Sequence, residues 1–178
     1  HGTCAGASLK APHQASPGVR AKTDCVVPIG EQRLYEGMRK QIDADFYIVK
    51  TRPPAVYRGN PFQIEVGIAY GQTGGADLEV DEGGRIHKTA RHKRDASAAL
   101  VLHADEPARL LRFDNRVPLL YEQGGCGISR GVLQTNWRSY GLQQPKGALP
   151  IAPMVILVHV ASVWVPFTSE AKEAIAPY

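Results

Sequence analysis

The sequence predicts an α/β fold, specifically a two-layer α/β (α+β) sandwich with helices packed on one side of a mixed sheet. Three observations predict it. Phe62-Gln-Ile-Glu-Val-Gly-Ile-Ala-Tyr70 alternates between apolar and other residues, the period of a strand with one apolar face. Met154 to Ala161 is apolar almost without interruption, which suits a central strand covered on at least one face. Leu34, Met38 and Ile42 recur at i+4, which makes a one-sided helical stripe. The resulting order is helix, strand, insertion, strand, helix, strand, helix, with no internal repeat.

Each element follows from local chemistry. Residues 1–19, rich in Ala, Gly, Ser, Pro and His and without periodicity, read as a tail or linker ahead of a domain spanning 20–178. Pro28-Ile29-Gly30 precedes the first helix. Two consecutive prolines, Pro53 and Pro54, then lack amide donors and block both helix and central strand. In the alternating strand Phe62, Ile64, Val66, Ile68 and Tyr70 face one way, and Gln63, Glu65, Gly67 and Ala69 the other. Residues 72–108 read as a surface insertion: Gly74-Gly75 and Gly83-Gly84 bracket an acidic patch, a basic stretch follows, and Ala98 to His103 suggest a short strand. Arg109 to Phe113 and Val117 to Tyr121 are strand pieces around Asp114-Asn115. Gly124-Gly125 leads into a helix from about Cys126 to Thr135, with Ile128 and Val132 on one side and Trp137 and Tyr140 packing at its end. Gly141 to Pro150 is a loop. After the apolar strand, Pro166-Phe-Thr-Ser-Glu-Ala-Lys172 opens a helix with a lysine in its first turn. A cation there opposes the helix dipole; it reads either as a solvated surface lysine or, beside the first-turn amides, as part of a phosphate site.

At 178 residues and 43% hydrophobic content the chain has material for one real core. Three widely spaced cysteines, Cys4, Cys25 and Cys126, argue against a disulfide framework and fit a reducing cytoplasm. No apolar run approaches the roughly 18 residues of a membrane span, and the first residues lack the order of a signal peptide. The net charge of +4 is local. Arg85, Lys88, Arg91, Lys93 and Arg94 fall in one ten-residue stretch, and without them 16 basic residues face 17 acidic ones. That stretch could release counter-ions from duplex DNA or simply be a solvated loop.

Several other chemistries are weaker. Cys126 before a helix could have a lowered thiol pKa, and a nucleophile would need His159 as its base, but His159 alternates into the buried strand as a core residue. His87, His92 and His103 lack ligand spacing, so no metal site is expected. Neither a Walker-type phosphate loop nor Gly-x-Gly-x-x-Gly occurs. Lys172 therefore has no phosphate cradle within this chain, and a nucleotide it touched would have to be held by another domain.

Several segments, in order, resemble the B subunit of DNA topoisomerase VI, the type IIB enzyme. They are Asp24-Cys25, Pro28-Ile-Gly-Glu31, Thr51-Arg-Pro-Pro-Ala-Val-Tyr-Arg-Gly-Asn-Pro-Phe62, Glu65-Val-Gly-Ile-Ala-Tyr-Gly71, Arg112-Phe-Asp-Asn-Arg-Val-Pro-Leu-Leu-Tyr121, Asn136-Trp-Arg-Ser-Tyr-Gly-Leu142 and Val165-Pro-Phe-Thr-Ser-Glu-Ala-Lys-Glu-Ala-Ile175. The resemblance runs from about residue 20 to the end, and it implies a transducer domain of ribosomal S5 domain 2-like fold, a sheet with helices on one face. It implies that Lys172 is the family's switch lysine, reaching the γ-phosphate of ATP bound with Mg2+ by an ATPase domain absent from this chain. On that basis no catalytic residue is expected here, and this segment binds no cofactor alone. The implied partners are a second B subunit and the A subunits of an A2B2 holoenzyme acting on duplex DNA, nucleoid-associated in the cytoplasm and away from any membrane. ATP-driven dimerisation would pass through the transducer to double-strand cleavage and strand passage by the A subunits. Residues 72–108 are longer than that family leads one to expect, and Asp114 stands where a small residue is more usual. Two other readings compete: a stand-alone nucleic-acid-binding α/β module using residues 85–94, and a small cysteine enzyme using Cys126.

Overall fold

The computed structural model describes residues 23–71, 77–89, 100–121, 123–167 and 174–176. The first helix, α1 (Glu31–Gln41), forms where the stripe predicts it. Leu34 and Met38 turn inward, Glu31 lies in its first turn, and Arg39 and Lys40 in its last, the arrangement the helix dipole favours. Strands β1 (Ile42–Asp43) and β2 (Phe46–Thr51) follow, and β2 stops at the Pro53-Pro54 pair. Beyond it β3 (Ala55–Tyr57) and β4 (Asn60–Tyr70) make a hairpin through Arg58 and Gly59, both at positive φ (46° and 84°). Two such residues match a type I′ turn, whose twist suits the flanking strands.

The segment read as an insertion contains β5 (Asp77–Val80), β6 (Ile86–Thr89) and β7 (Leu100–Val101). The β5–β6 hairpin extends the sheet at β2, and Arg39 of α1 holds it through Glu79 at 3.2 Å. Then come β8 (Arg109–Asp114), β9 (Val117–Pro118), helix α2 (Gly127–Gln134) and the long β10 (Met154–Ser162). Among the described residues the main sheet has the order β6-β5-β2-β4-β10-β8-β9, with β3 beside β4, while β1 and β7 pair separately. Strand β10 runs antiparallel to β4 and parallel to β8. A parallel neighbour needs a crossover, and α2 lies within it.

The predicted single helical layer is not what forms: α1 and α2 sit on opposite faces of the sheet. Leu34 and Met38 of α1 pack with Val155, Leu157 and Ala69. Ile128 and Val132 of α2 pack with Met154, Ile156 and Val158. The physical reason lies in β10, which is apolar at nearly every position, so both of its faces need cover and one helix can supply only one.

The alternation of β4 holds, but its burial is the reverse of what hydropathy suggests. Glu65, Gly67 and Ala69 are the buried set, while Ile64, Val66 and Ile68 are half-buried and Tyr70 exposed. Gly67 explains it. A Cβ at that position would collide with Met38 Sδ, so the small residues of the face let α1 lie close against the sheet.

Candidate functional site

The sequence elements that meet behind α1 place one carboxylate at their centre. Glu65 on β4 stands opposite His159 on β10, and neither side chain is exposed. Glu65 Oε2 accepts from the Ile29 amide at 2.8 Å and from His159 Nδ1 at 2.8 Å. Oε1 accepts from the Gly30 amide at 2.8 Å and from Thr51 Oγ1 at 2.9 Å. On its far side, His159 Nε2 accepts from the Arg116 amide at 3.1 Å. An amide can only donate, so the imidazole must carry its proton on Nδ1, which donates to Glu65. Burial pushes the Glu65 carboxyl up, but the bonds from Ile29, Gly30, Thr51 and His159 outweigh it and hold it below the ordinary carboxylate value.

Arg116 belongs to a two-residue turn joining β8 to β9, with Asn115 at φ 43° and Arg116 at φ 74°. Asn115 clamps the end of β10: its Nδ2 donates to the Ser162 carbonyl at 2.9 Å and its Oδ1 accepts from the Ser162 amide at 3.0 Å. Ser162 Oγ in turn donates to the Pro61 carbonyl at 2.8 Å. Five residues further on, Phe167 bridges Ile175, and the Ala176 amide donates to the Pro166 carbonyl at 2.7 Å. The Ile175 carbonyl then accepts from Gly127, the first residue of α2, at 2.7 Å. Residues 166–167 and 175–176 are thus fastened to each other and to a helix N-terminus.

The sequence matches the family model "Topoisomerase VI B subunit, transducer" over residues 21–178. The chain belongs to the topoisomerase VI B-subunit transducer family. It is similar to the B subunit of type 2 DNA topoisomerase 6 from Methanosarcina acetivorans, 46% identical over 154 residues, which cover 86% of this chain and 20% of that protein. The corresponding protein of Methanosarcina barkeri is 45% identical over the same shares, and that of Archaeoglobus fulgidus is 40% identical over 86% of this chain and 21% of its own. The transducer chain spans about a fifth of the length of these curated relatives.

Within this transducer the predicted site residues lie in different places. Lys172 lies outside the described residues, as do Arg91, Lys93 and Arg94. Among the described residues Ala174 to Ala176 are not helical: they are a bend, a bridge and a residue without regular structure. Pro177 supplies a reason, because a residue before proline is biased away from helix, and Ala174 and Ile175 bury in the core instead. Arg85 and Lys88 are exposed on the β5–β6 hairpin, where the Arg85 amide donates to Asp81 at 2.8 Å and His87 pairs with Asp81 at 2.8 Å.

The cysteine-enzyme reading fails on geometry. Cys126 packs with α2 on one face of the sheet, while His159 lies on the other. The thiol is fully buried. Burial pushes its pKa up, but the Ile175 backbone, the Arg112 side chain and the first amides of α2 outweigh that and draw it below the ordinary value. Arg112 itself, 3% exposed, donates from Nη2 to the carbonyls of Leu119 and Tyr121 at 3.1 and 2.7 Å. Among the described residues no group of three or more His, Cys, Asp or Glu converges to hold a metal ion, and no helix is long and apolar enough to cross a membrane. A groove of about 620 Å³ opens between β4, β10 and α2, floored by Ile64, Val66, Val158 and Val160, with Ile175 at its margin.

Glu65, Asn115 and Arg116 were not singled out by sequence reasoning. One signal was present: Glu65 shares its strand face with Gly67 and Ala69, small residues that mark a closely covered surface rather than a solvated one.

Proposed function

We propose that this segment is the energy-coupling module of an ATP-dependent type IIB topoisomerase. It transmits ATP binding and dimerisation of the B subunits to double-strand cleavage and strand passage by the A subunits. Lys172 supplies the contact to ATP. Its ammonium would approach the γ-phosphate of a nucleotide that another domain holds with Mg2+, so that Lys172 senses the presence of that phosphate. The described residues that flank Lys172 are bonded onward: Phe167 and Ile175 to the start of α2, and Ala176 to Pro166. A two-state element biased by a ligand is what allosteric coupling requires.

One observation carries the reading. The family match runs through residues 168–173, and the residues on both sides of that stretch are fastened to each other and to α2. The free-standing DNA-binding reading rests on Arg85 and Lys88 alone among the described residues, and family membership weighs against it.

The test is a graft. The chain replaces the matching 154 residues of the Methanosarcina acetivorans protein, and dimerisation is followed by sedimentation with a non-hydrolysable ATP analogue. The graft should dimerise on nucleotide addition. Lys172→Ala should weaken that response about tenfold or more, within the usual range of coupling between sites. An undiminished response in the variant would overturn the assignment.

A further inference from the structure

We propose that Glu65 is a positioning residue: its carboxylate links the backbone that enters α1 to the Asn115–Arg116 turn, and so sets where β10 hands over to the segment carrying Lys172. The proposal deepens the coupling reading above and rests on it for its function, but the linkage itself can be measured separately. Four donors from three places reach one buried carboxylate: Ile29 and Gly30 before α1, Thr51 at the end of β2, and His159 on β10. The chain of bonds then continues through the imidazole to the Arg116 amide. Asn115, the neighbour of Arg116, grips both polar backbone groups of Ser162, the last residue of β10.

Two features show that the link transmits position and is more than packing. Arg116 holds a positive φ of 74°, which a non-glycine residue keeps only where its surroundings impose it, and the His159 bond to its amide is one such imposition. The imidazole is also polarised in one direction, donating to Glu65 and accepting from Arg116, so reversing either end breaks the other. Glutamine at 65 makes this visible. Whichever way its amide is turned, the NH2 meets the Ile29 or the Gly30 amide, donor against donor. If it faces Ile29, it also meets His159 Nδ1. Accepting there would force the imidazole proton onto Nε2, against the Arg116 amide.

The experiment has two arms. In the 178-residue chain, amide hydrogen exchange is compared between wild type, Glu65→Gln and Asn115→Gly. Glycine accepts the positive φ of Asn115 without steric cost, so that variant loses only the Ser162 bonds. Glu65→Gln should speed exchange at Arg116 and Ser162 about fivefold or more, and Asn115→Gly should do the same at Ile29 and Gly30, because coupling is reciprocal. In the grafted protein assembled with its A subunit, each variant should lower strand passages per ATP hydrolysed about fivefold or more, measured well below its melting temperature. Asn115→Asp, which keeps the acceptor for Ser162, should recover part of that ratio.

Unchanged exchange at the remote amides would overturn the linkage. Faster exchange with an unchanged ratio would overturn the positioning role while leaving Lys172 as the sensor. A wild-type graft without ATP dependence would instead sink the coupling reading, and the exchange arm would still decide the linkage. Should Glu65→Gln fail to fold, Asn115→Gly carries both arms.

Discussion

At the scale of single residues, the buried pair Glu65 and His159 shows how a charge can occupy a protein interior. A buried carboxylate is costly unless every lone pair is used, and here four donors meet it within 2.9 Å. Removing the charge should therefore be expensive: Glu65→Gln is expected to destabilise the fold by about 3 kcal/mol, read from urea midpoints at pH 7. The pH dependence follows from the lowered carboxyl. The stability that ionised Glu65 contributes is fully present above its ordinary value of 4.5 and is lost as pH falls through the lower folded value. The gap between wild type and Glu65→Gln should accordingly stay constant from pH 7 to about 5 and narrow as pH falls below 4.5. A gap that widened in acid would contradict this. His159 was legible in the sequence as a satisfied core residue, because its strand is apolar on both sides of it. Glu65 was not, because its partner lies 94 positions away and nothing local reveals the pairing.

Elements were legible where their stripes are strong and ambiguous where both faces matter. The Leu34–Met38 and Ile128–Val132 spacings predicted α1 and α2 within a few residues, since burying a one-sided stripe is what makes a helix worthwhile. Strand β4 was also legible as a strand with one apolar face, and Ile64, Val66 and Ile68 of that face pack against the α2 core, but hydropathy did not reveal that the opposite face is the more deeply buried one. Its closely covered face is lined by Gly67 and Ala69, and the quantity that matters there is the approach of Met38, not apolar content. Gly67→Ala should therefore cost about 1–2 kcal/mol despite adding apolar volume, as overpacking usually does. Combining it with Met38→Ala, which opens the space, should recover part of that loss, and simple additivity in thermal melts would refute the contact. At the C-terminal end the lysine-bearing segment read as the first turn of a helix running past Ile175. At residues 174–176 the bridge between Phe167 and Ile175 and the burial of Ala174 and Ile175 stand in place of that local pattern.

For the whole molecule, the basic stretch is the remaining question that charge arithmetic raises. Arg85 and Lys88 lie on an edge hairpin joined to β2 through a single parallel pair and fastened by Arg39 to Glu79. If the hairpin contacts DNA in the assembled enzyme, neutralising Arg85 and Lys88 to glutamine should reduce the salt slope of duplex binding by about two, with strand-passage coupling unaffected. An unaltered slope would leave the hairpin a solvated edge. The sequence by itself determined the class of fold, the order of most elements, the satisfied state of His159 and the family, because these depend on local periodicity and on long ordered segments. Only the tertiary structure decided that the helices cover opposite faces, which side of β4 is buried, that Cys126 and His159 never meet, and that Glu65 joins the entry of α1 to the end of β10. Each of those depends on contacts between residues far apart in the chain, and a one-dimensional pattern carries the period of a surface but not the identity of what covers it.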